Sequence, residues 1–252
     1  MELKDCVVVI TGGARGIGYA IAQDLAQAGA KLALIDRDQE QLEQSAAHLA
    51  ELTEVQGYCV DLTDEELVED TFSYIVEDFG KVNVVINNAG LLKDGMLVKA
   101  KQGQITDKMS LEQFKQVCDV NITGSFLCGR EGAIAMIQSE QEGLIINMSS
   151  LARSGNIGQT NYAASKAAVA TMSVGWAQEL ARYKIRSVAI APGVVDTDMT
   201  RAMKPEAQER LKQAIPCGRL AHTAEIAQTV RFIIENDYIN GRVLEIDGGL
   251  RF

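Results

Sequence analysis

The chain has 252 residues, of which 47% are hydrophobic and 23% are charged, and its formal net charge is −10. This length and hydrophobic content allow one large buried core, and no break in composition divides the chain, so we expect residues 1–252 to form a single domain. The acidic balance disfavours nucleic acid as a partner, and we expect no membrane association, because no apolar stretch is long enough to span a bilayer and the N-terminus lacks a signal pattern.

The cysteines and histidines exclude two further kinds of site. The five cysteines are scattered and form no Cys-x-x-Cys pair, which is typical of reduced thiols, so we expect a cytoplasmic protein without disulfides. With only two histidines, His48 and His222, we expect no histidine-ligated metal site.

The first predicted strand, residues 7–10, runs directly into a glycine-rich turn and then a helix over residues 19–27. Gly12 permits a tight turn, Gly16 lets the backbone approach a pyrophosphate, and Gly18 allows helix and strand to pack closely. The phosphates would lie at the positive end of the helix. This segment therefore predicts a site for a dinucleotide cofactor.

The second predicted strand, residues 32–35, ends at Asp36. An acid at this distance from the glycines is placed to accept hydrogen bonds from an adenosine ribose, whereas a 2′-phosphate would bring like charges together. Arg15 and Arg37 act in the opposite direction, because an arginine can pair with that phosphate. From the carboxylate we expect NAD(H) to be favoured over NADP(H).

Short apolar strands alternate with helices along the rest of the chain. Further strands are predicted over residues 55–60, 82–86, 144–148, 186–190 and 243–246. Further helices are predicted over residues 39–52, 64–79 (with Thr63 as N-cap), 110–137, 162–183 and 223–235. The alternation predicts a doubly wound α/β fold, in which a Rossmann-type parallel sheet of about seven strands lies between two layers of helices.

Polar and glycine residues follow the predicted strands at their carboxyl ends. These residues are Gly12, Asp36, Asp61, Asn88, Ser150 and Pro192. Ligands of open parallel sheets bind beyond the carboxyl ends of the strands. We therefore expect these six residues to form one site.

Tyr162 and Lys166 stand one turn apart on a predicted helix, so their side chains project from one face. A nearby ammonium favours the phenolate and lowers the pKa of tyrosine from its usual value of about 10. A tyrosine in that setting can pass a proton to or from a substrate oxygen. The pair therefore indicates proton-transfer chemistry.

Five motifs that occur in order resemble those of the short-chain dehydrogenase/reductase family. They are the Gly-x-x-x-Gly-x-Gly spacing from Gly12, residues 87–90, residues 147–150, the Tyr162/Lys166 pair and Pro192-Gly193. The resemblance covers about residues 4–249 and is closest to the 3-oxoacyl-acyl-carrier-protein reductases in residues 158–162 and 191–200. It implies an NAD(P)(H)-dependent oxidoreductase that reduces a 3-oxoacyl thioester, carried by acyl carrier protein or CoA, to the 3-hydroxyacyl thioester.

The resemblance also implies the role of each site residue. Ser150 and Tyr162 would bind the carbonyl oxygen, while Lys166 would hold the nicotinamide ribose and lower the pKa of Tyr162. Asn121 would hold a water in the proton relay, or else only kink its helix. Cofactor contacts are implied for Gly12, Arg15, Gly16, Ile17, Gly18, Asp61 (otherwise a helix-capping acid), Leu62, Asn88, Ala89, Gly90, Pro192, Gly193, Val195 and Thr197.

Two adjacent serines compete for the catalytic position. Ser150 closes the Asn-x-x-Ser strand end, whereas a count of thirteen positions before Tyr162, usual among the acyl reductases, indicates Ser149. Neighbours in a strand face opposite sides. Because a one-residue deletion in the loop of residues 151–158 is easier to accept than a slipped strand, we expect Ser150.

Two sequence features and the function itself leave alternatives open. Residues 91–109, which contain four lysines, are either a basic lip for a phosphopantetheine or CoA substrate or a solvated hairpin. The acidic stretch of residues 139–142 weakens the case for an acyl carrier protein, although Arg182 and Lys184 remain. A dehydrogenase of another secondary alcohol, such as a polyol or steroid, and a non-catalytic nucleotide-binding sensor are the alternative functions.

Two expectations concern the lid and the assembly. Residues 196–218, bracketed by prolines, are expected to form a lid over the substrate. The resemblance implies a homotetramer, and the long helices contain apolar residues that we expect to exceed what the core needs. These residues are Phe114, Phe126, Met136, Met172 and Trp176.

Overall fold

The computed structural model describes residues 1–251, apart from the side chain of Met199. The strands are β1 (Val7–Thr11), β2 (Lys31–Asp36), β3 (Val55–Cys59), β4 (Val84–Asn87), β5 (Val98–Lys101), β6 (Gln104–Lys108), β7 (Gly143–Met148), β8 (Ile185–Pro192) and β9 (Val243–Ile246). The helices are α1 (Gly16–Gln27), α2 (Gln39–Leu49), α3 (Glu65–Phe79), α4 (Leu111–Cys118), α5 (Gly124–Gln138), α6 (Thr160–Glu179), α7 (Asp198–Arg201), α8 (Pro205–Ala214) and α9 (Thr223–Glu235).

Seven strands form one parallel sheet in the order β3-β2-β1-β4-β7-β8-β9. The chain runs outward from β1 to β3, then returns to β4 and continues to the other edge, so the strand order reverses between β1 and β4. Register pairs Thr11 with Asn87 and Asn87 with Asn147, which aligns the carboxyl ends of these strands. The predicted Rossmann-type α/β fold is confirmed, and its switch point lies beside the glycine turn.

The core consists of two apolar layers, one on each face of the sheet. Val8 and Ile10 of β1 pack with buried residues of α1 and α9, whereas Val9 packs with residues of α3 and α5. Strands buried on both faces require this continuous apolar sequence. Each fully buried Val or Ile side chain contributes about 1.5–3 kcal/mol.

Two residues expected on an apolar surface belong to the core instead. Met136 is fully buried in the layer formed with α3 and α5. Trp176 packs against Gly129, where a Cβ would lie only 2.6 Å from the indole ring. The expectation of surplus apolar surface is therefore wrong for Met136. Trp176 is half-buried and packs against the core, because the missing side chain at Gly129 makes room for the indole.

Several predicted boundaries differ from the structure. The N-cap of α3 is Asp64, whose carboxylate accepts from Leu67 N at 3.2 Å, so the expected cap at Thr63 is wrong. The Thr63 hydroxyl instead donates to Asp61 at 2.8 Å. The predicted helix over residues 110–137 is two helices, α4 and α5, joined by a π-helical segment, Asp119–Thr123.

Two segments outside the parallel sheet have their own local structure. Residues 91–109 contain an antiparallel hairpin, β5–β6, and the expected lid contains α7 and α8. Among the helices of residues 1–251, none combines the length and hydrophobicity that crossing a membrane requires.

Candidate active site

The glycine turn after β1 has the geometry that its sequence predicts. Gly12 and Gly16 have φ values of 64° and 59°, in the left-handed region that glycine adopts most easily. A Cβ at Gly18 would lie 2.1 Å from the Gly12 carbonyl oxygen, so only glycine permits this contact between turn and helix. A Cβ at Gly16 would meet no described atom within 4 Å, which leaves open space at the N-terminus of α1.

Hydrogen bonds attach the turn to the segment after β4. The Thr11 hydroxyl accepts from Asn88 N at 3.1 Å and from Ala89 N at 3.0 Å. The Asn88 side chain donates to the carbonyls of Thr11 and Gly12, each at 3.1 Å. The role of Thr11 as hydrogen-bond acceptor was not predicted from the sequence. A hydroxyl residue directly before Gly12, at the end of a buried strand, could have indicated it.

Asp36 lies at the carboxyl end of β2, against the glycine turn. Its carboxylate accepts from Ala14 N at 3.2 Å, Arg37 N at 2.8 Å and Asp38 N at 3.3 Å. These backbone donors hold the carboxylate in place at the sheet edge. The side chains of Arg15 and Arg37 are exposed beside it.

Asp61 follows β3 on the same edge. Its carboxylate accepts from the backbone N of Thr63 at 3.0 Å and from the Thr63 hydroxyl, and these hydrogen bonds lower the pKa of Asp61, with a smaller contribution from the charge of Arg37. Asp61 thus stabilises its own turn and does not cap α3. The adjacent Leu62 packs against Gly124 at the start of α5.

Lys166 reaches from α6 to the end of β7. Its ammonium donates to the Met148 carbonyl at 2.7 Å and lies 5.6 Å from the centroid of the Tyr162 ring. Burial lowers the pKa of Lys166 from 10.5 to about 8. A Cβ at Gly90 would be 3.4 Å from this ammonium and 3.5 Å from the Asn121 side-chain oxygen, so all three residues converge.

The pKa of Tyr162 shifts in the direction opposite to the one expected. Burial raises the pKa of Tyr162, hydrogen bonding by the Ser150 side chain lowers it, and the charge of Asp94 raises it. The expectation of a lowered pKa at Tyr162 is therefore wrong. The reason is that a site with little solvent disfavours the charged forms of the phenol and of the ammonium alike.

The two candidate serines face opposite ways. Ser149 is only 3% exposed, and its hydroxyl donates to the Lys166 carbonyl at 2.7 Å. The Ser150 hydroxyl accepts from Ala152 N at 3.1 Å, and the Ser150 side chain lowers the pKa of Tyr162. Strand alternation therefore places Ser150, and not Ser149, beside the tyrosine.

Asn121 lies in the π-helical segment and is fully buried. Its side chain accepts from Leu91 N at 2.6 Å and donates to Leu91 O at 3.1 Å and to the Ser165 hydroxyl at 2.9 Å. Ser165 in turn donates to the Tyr162 carbonyl at 2.7 Å. The π turn thus directs Asn121 toward the tyrosine helix, and π turns occur frequently at functional sites.

The segment after β8 completes the edge. Gly193 N donates to the Ile246 carbonyl at 2.9 Å, and a Cβ at Gly193 would lie 2.8 Å from Asp247 Cα. Val195 is buried and pairs with Ala221, while Thr197 is the N-cap of α7. Pro192 ends β8, so this segment leaves the sheet at the edge that also carries the tyrosine and the glycine turn.

A buried polar chain beneath the site escaped sequence reasoning. The Asn87 side chain donates to Asn147 at 2.8 Å, and Asn147 donates to the Ser173 hydroxyl at 2.9 Å. These bonds join β4, β7 and α6 directly below the segments that carry Asn88, Ser150 and the tyrosine. Two asparagines at the ends of otherwise apolar strands were the available signal.

Comparisons with known proteins agree with this arrangement. Residues 12–251 match the family model described as Enoyl-(Acyl carrier protein) reductase. The chain is 38% identical over 248 residues to a 3-oxoacyl-[acyl-carrier-protein] reductase of Homo sapiens, covering 98% of both chains. It is 37% identical over 254 residues to 3-oxoacyl-[acyl-carrier-protein] reductase FabG of Thermotoga maritima, covering 99% of both.

A third relative extends the same pattern. The chain is 38% identical over 246 residues to 3-oxoacyl-[acyl-carrier-protein] reductase MabA of Mycobacterium bovis, covering 96% of this chain and 92% of the relative. The matches span nearly the whole chain, including every motif at the sheet edge. The chain therefore belongs to the short-chain dehydrogenase/reductase family of enzymes.

Proposed function

We propose that this enzyme reduces the 3-oxo group of an acyl thioester to the 3-hydroxyacyl thioester. The convergence of Ser150, Tyr162 and Lys166 at the carboxyl edge of the sheet carries this proposal. The names of the three relatives support it, because each is a 3-oxoacyl-[acyl-carrier-protein] reductase.

The three side chains divide the work on the substrate carbonyl. When bound, a nicotinamide cofactor supplies the hydride that reduces the carbonyl carbon. Ser150 donates a hydrogen bond to the carbonyl oxygen, and Tyr162 transfers its phenolic proton to that oxygen as negative charge develops there. Because burial raises its pKa, Tyr162 holds this proton at neutral pH. The ammonium of Lys166 then stabilises the phenolate.

The residues around the glycine turn fit a nicotinamide dinucleotide. The open space at Gly16, at the N-terminus of α1, suits a diphosphate, which backbone N–H groups and the helix dipole stabilise. We propose that Asp36, Asp61 and Leu62 contact the adenosine. The other residues proposed to contact the cofactor are Arg15, Ile17, Arg37, Asn88, Ala89, Gly90, Tyr162, Lys166, Pro192, Gly193, Val195 and Thr197. Asn121 is assigned the water of the proton relay.

NAD(H) is the favoured cofactor in this proposal. Three backbone N–H groups hold the Asp36 carboxylate at the end of β2, so a ribose hydroxyl gains an acceptor there. A 2′-phosphate would instead meet a negative charge that is fixed in position. Arg15 and Arg37 reduce this preference, because both side chains are exposed near Asp36 and an arginine can pair with a 2′-phosphate.

CoA is the favoured carrier of the acyl group. Lys184 pairs with Glu142 at 3.0 Å, and the guanidinium of Arg182 stacks 4.7 Å from the Tyr183 ring. The charge of Lys184 is therefore compensated within the chain. An acidic carrier protein would gain less from this surface than from unpaired cations.

Purified protein assayed against a substrate panel tests the proposed function. We expect reduction of acetoacetyl-CoA with NADH, weaker reduction of an acyl-carrier thioester and no oxidation of polyols or steroids. Turnover of a polyol or steroid alone would contradict the proposal in favour of another dehydrogenase. Reduction of crotonyl-CoA alone would favour enoyl reduction, and cofactor binding without turnover of any compound would favour a sensor.

The assembly in this proposal is a homotetramer in the cytoplasm. Phe126 is 43% exposed on α5, and Ile134, Ile137 and Val174 on α5 and α6 are exposed as well. Exposed apolar residues on two helices are consistent with subunit contacts. The five cysteines are free thiols, as a reducing compartment requires. Light scattering at micromolar concentration is the test, and a monomer mass would refute the assembly.

A further inference from the structure

The hairpin β5–β6 stands clear of the parallel sheet. Every residue in both strands is exposed, and the strands meet at a two-residue turn, Gln102–Gly103, with φ values of 52° and 79°. Positive φ at both positions is typical of the type I′ turn, whose twist matches that of the flanking strands. The hairpin is therefore a folded element, with one shift of register between Lys99 and Ala100, and not an unstructured loop.

The base of the hairpin is bonded to the loop that precedes Tyr162. Gly95 N donates to the Gly158 carbonyl at 2.8 Å, and the Gln159 side chain donates to both Asp94 carboxylate oxygens at 3.1 and 3.2 Å. Gln159 stands three residues before Tyr162. The path from the hairpin to the candidate proton donor is thus short and hydrogen-bonded.

Further bonds hold the same base from α4 and α6. The Asn161 side chain donates to the Lys93 carbonyl at 2.9 Å, and the Gln113 side chain donates to the same carbonyl at 3.0 Å. Leu91 is held on both its N–H and its carbonyl by Asn121. The segment that carries the hairpin is therefore positioned by the residues that position the active site.

The two faces of the hairpin differ in chemistry. Register pairs Ala100 with Ile105 and Val98 with Lys108. Val98, Ala100 and Ile105 therefore share one face, and Lys108 lies on that face at the base of the hairpin. The opposite face carries the ion pair between Lys99 and Asp107, with 2.9 Å between nitrogen and oxygen. Val98 is 49% exposed and Ile105 is 64% exposed, so the apolar face remains accessible.

Apolar side chains continue from the hairpin to the loop before Tyr162. The Met96 sulfur lies 3.8 Å from where a Cβ at Gly158 would stand. Ile157, the preceding residue of that loop, is strongly exposed. An apolar surface that is continuous with the substrate end of a site favours an uncharged, apolar ligand.

We propose that the apolar face of β5–β6, formed by Val98, Ala100 and Ile105, binds the acyl chain of the substrate. The hairpin then selects long, apolar 3-oxoacyl groups over short ones. This inference rests on the proposed reduction of 3-oxoacyl thioesters, and it names the part of the substrate that the hairpin recognises. Burial of these side chains against a long chain stabilises its complex, whereas acetoacetyl groups are too short to benefit.

A pair of matched variants tests the inference in the enzyme as purified. The measured quantity is the ratio of kcat/KM for 3-oxododecanoyl-CoA to kcat/KM for acetoacetyl-CoA. Ile105→Ser should lower this ratio about tenfold, because it replaces an apolar contact. Lys101→Ser, on the opposite face of the same hairpin, should leave the ratio within about twofold of the wild-type value. Equal effects of both variants, or none of either, would overturn the inference.

Limited proteolysis separates this inference from the proposed function. Lys99, Lys101 and Lys108 make the exposed hairpin a trypsin substrate. We expect 3-hydroxydodecanoyl-CoA to slow cleavage there, while CoA alone does not. Protection without turnover of any thioester would support the acyl site and contradict the proposed function. Turnover of acetoacetyl-CoA without protection of the hairpin would support the proposed function and contradict the acyl site.

A second copy of the chain is the competing occupant of this face. Light scattering of Ile105→Ser at the concentration of the assays decides between the two. A smaller assembly than that of the wild type would overturn the inference, because it would place the face in a subunit contact. An unchanged mass together with the lowered ratio would support it.

Discussion

The two regions that border the candidate active site are built on opposite principles. The glycine turn and the segment after β4 are locked by backbone contacts, including the 2.1 Å approach at Gly18 and the bonds from Asn88 to the turn. The hairpin β5–β6 is exposed over both strands and is bonded to the protein only near its base.

This difference indicates which part of the site tolerates change. A substitution in the locked region brings new side-chain atoms against closely packed backbone. It should therefore lower both the free energy of unfolding and the affinity for the proposed cofactor. A substitution on the hairpin meets solvent, so its cost is confined to the substrate. The region proposed to hold the cofactor is rigid, and the region proposed to select the substrate is free to vary.

The largest expected effect is at Tyr162 on α6, whose preceding loop is bonded to the base of the hairpin. Tyr162→Phe removes the proton that the carbonyl oxygen receives, so we expect kcat to fall about a thousandfold. Cofactor affinity, measured by titration, should remain within about twofold of wild type, since the ring itself is retained. Activity above about a tenth of wild type would exclude the proton-donor role.

The second expected effect concerns the charge of Lys166 on α6, which lies against Gly90 of the locked region. Burial lowers the pKa of Lys166 to about 8 from 10.5, so between these pH values the unfolded chain binds a proton that the folded chain does not. The free energy of unfolding should therefore rise with pH in this window, by roughly 3 kcal/mol from Lys166 alone. Urea unfolding of wild type and Lys166→Met at several pH values measures the difference.

The expected difference has a definite sign. Between pH about 8 and 10.5 the free energy of unfolding of wild type should rise, because the folded protein no longer carries the buried charge of Lys166. Lys166→Met has no such charge, so its free energy of unfolding should fall relative to that of wild type over the same range. The lost bond to the Met148 carbonyl adds an offset that does not depend on pH. Parallel curves for the two proteins would contradict a depressed pKa.

The features that could be predicted from the sequence are those that depend on local backbone conformation. Positive φ at Gly12, close packing at Gly18 and the orientation of Ser150 all follow from residue type and strand alternation. The raised pKa of Tyr162 did not follow, because it depends mainly on burial by elements distant in the sequence, and also on Ser150 and the charge of Asp94. The burial of Met136 was likewise decided by packing between α5 and the sheet.

The third prediction compares one glycine from each region. Gly18→Ala places a Cβ 2.1 Å from a carbonyl oxygen, and we expect a loss of about 3 kcal/mol in the free energy of unfolding. Gly103→Ala has open space at the hairpin tip, and its strain at φ 79° should cost about 1 kcal/mol or less globally. Urea denaturation measures both, and equal losses would contradict the contrast.

The smallest expected effect concerns cofactor choice at Asp36. Three backbone N–H groups fix its carboxylate where the adenosine ribose is proposed to bind. Asp36→Ala removes both the acceptor for the ribose hydroxyls and the charge that opposes a 2′-phosphate. We therefore expect the ratio of kcat/KM for NADH to kcat/KM for NADPH to fall about tenfold, from a lower value for NADH and a higher value for NADPH.

A matched change separates the charge from its surroundings. Arg37→Ala removes a neighbouring cation and keeps the carboxylate, so the same ratio should rise, because the guanidinium no longer compensates the repulsion of a 2′-phosphate. If the ratio falls in Asp36→Ala and rises in Arg37→Ala, the charges of Asp36 and Arg37 together determine the choice between NADH and NADPH. An NADPH preference in the wild type, or shifts in the same direction, would contradict it. The locked region would then hold the dinucleotide through its backbone without choosing between the two forms.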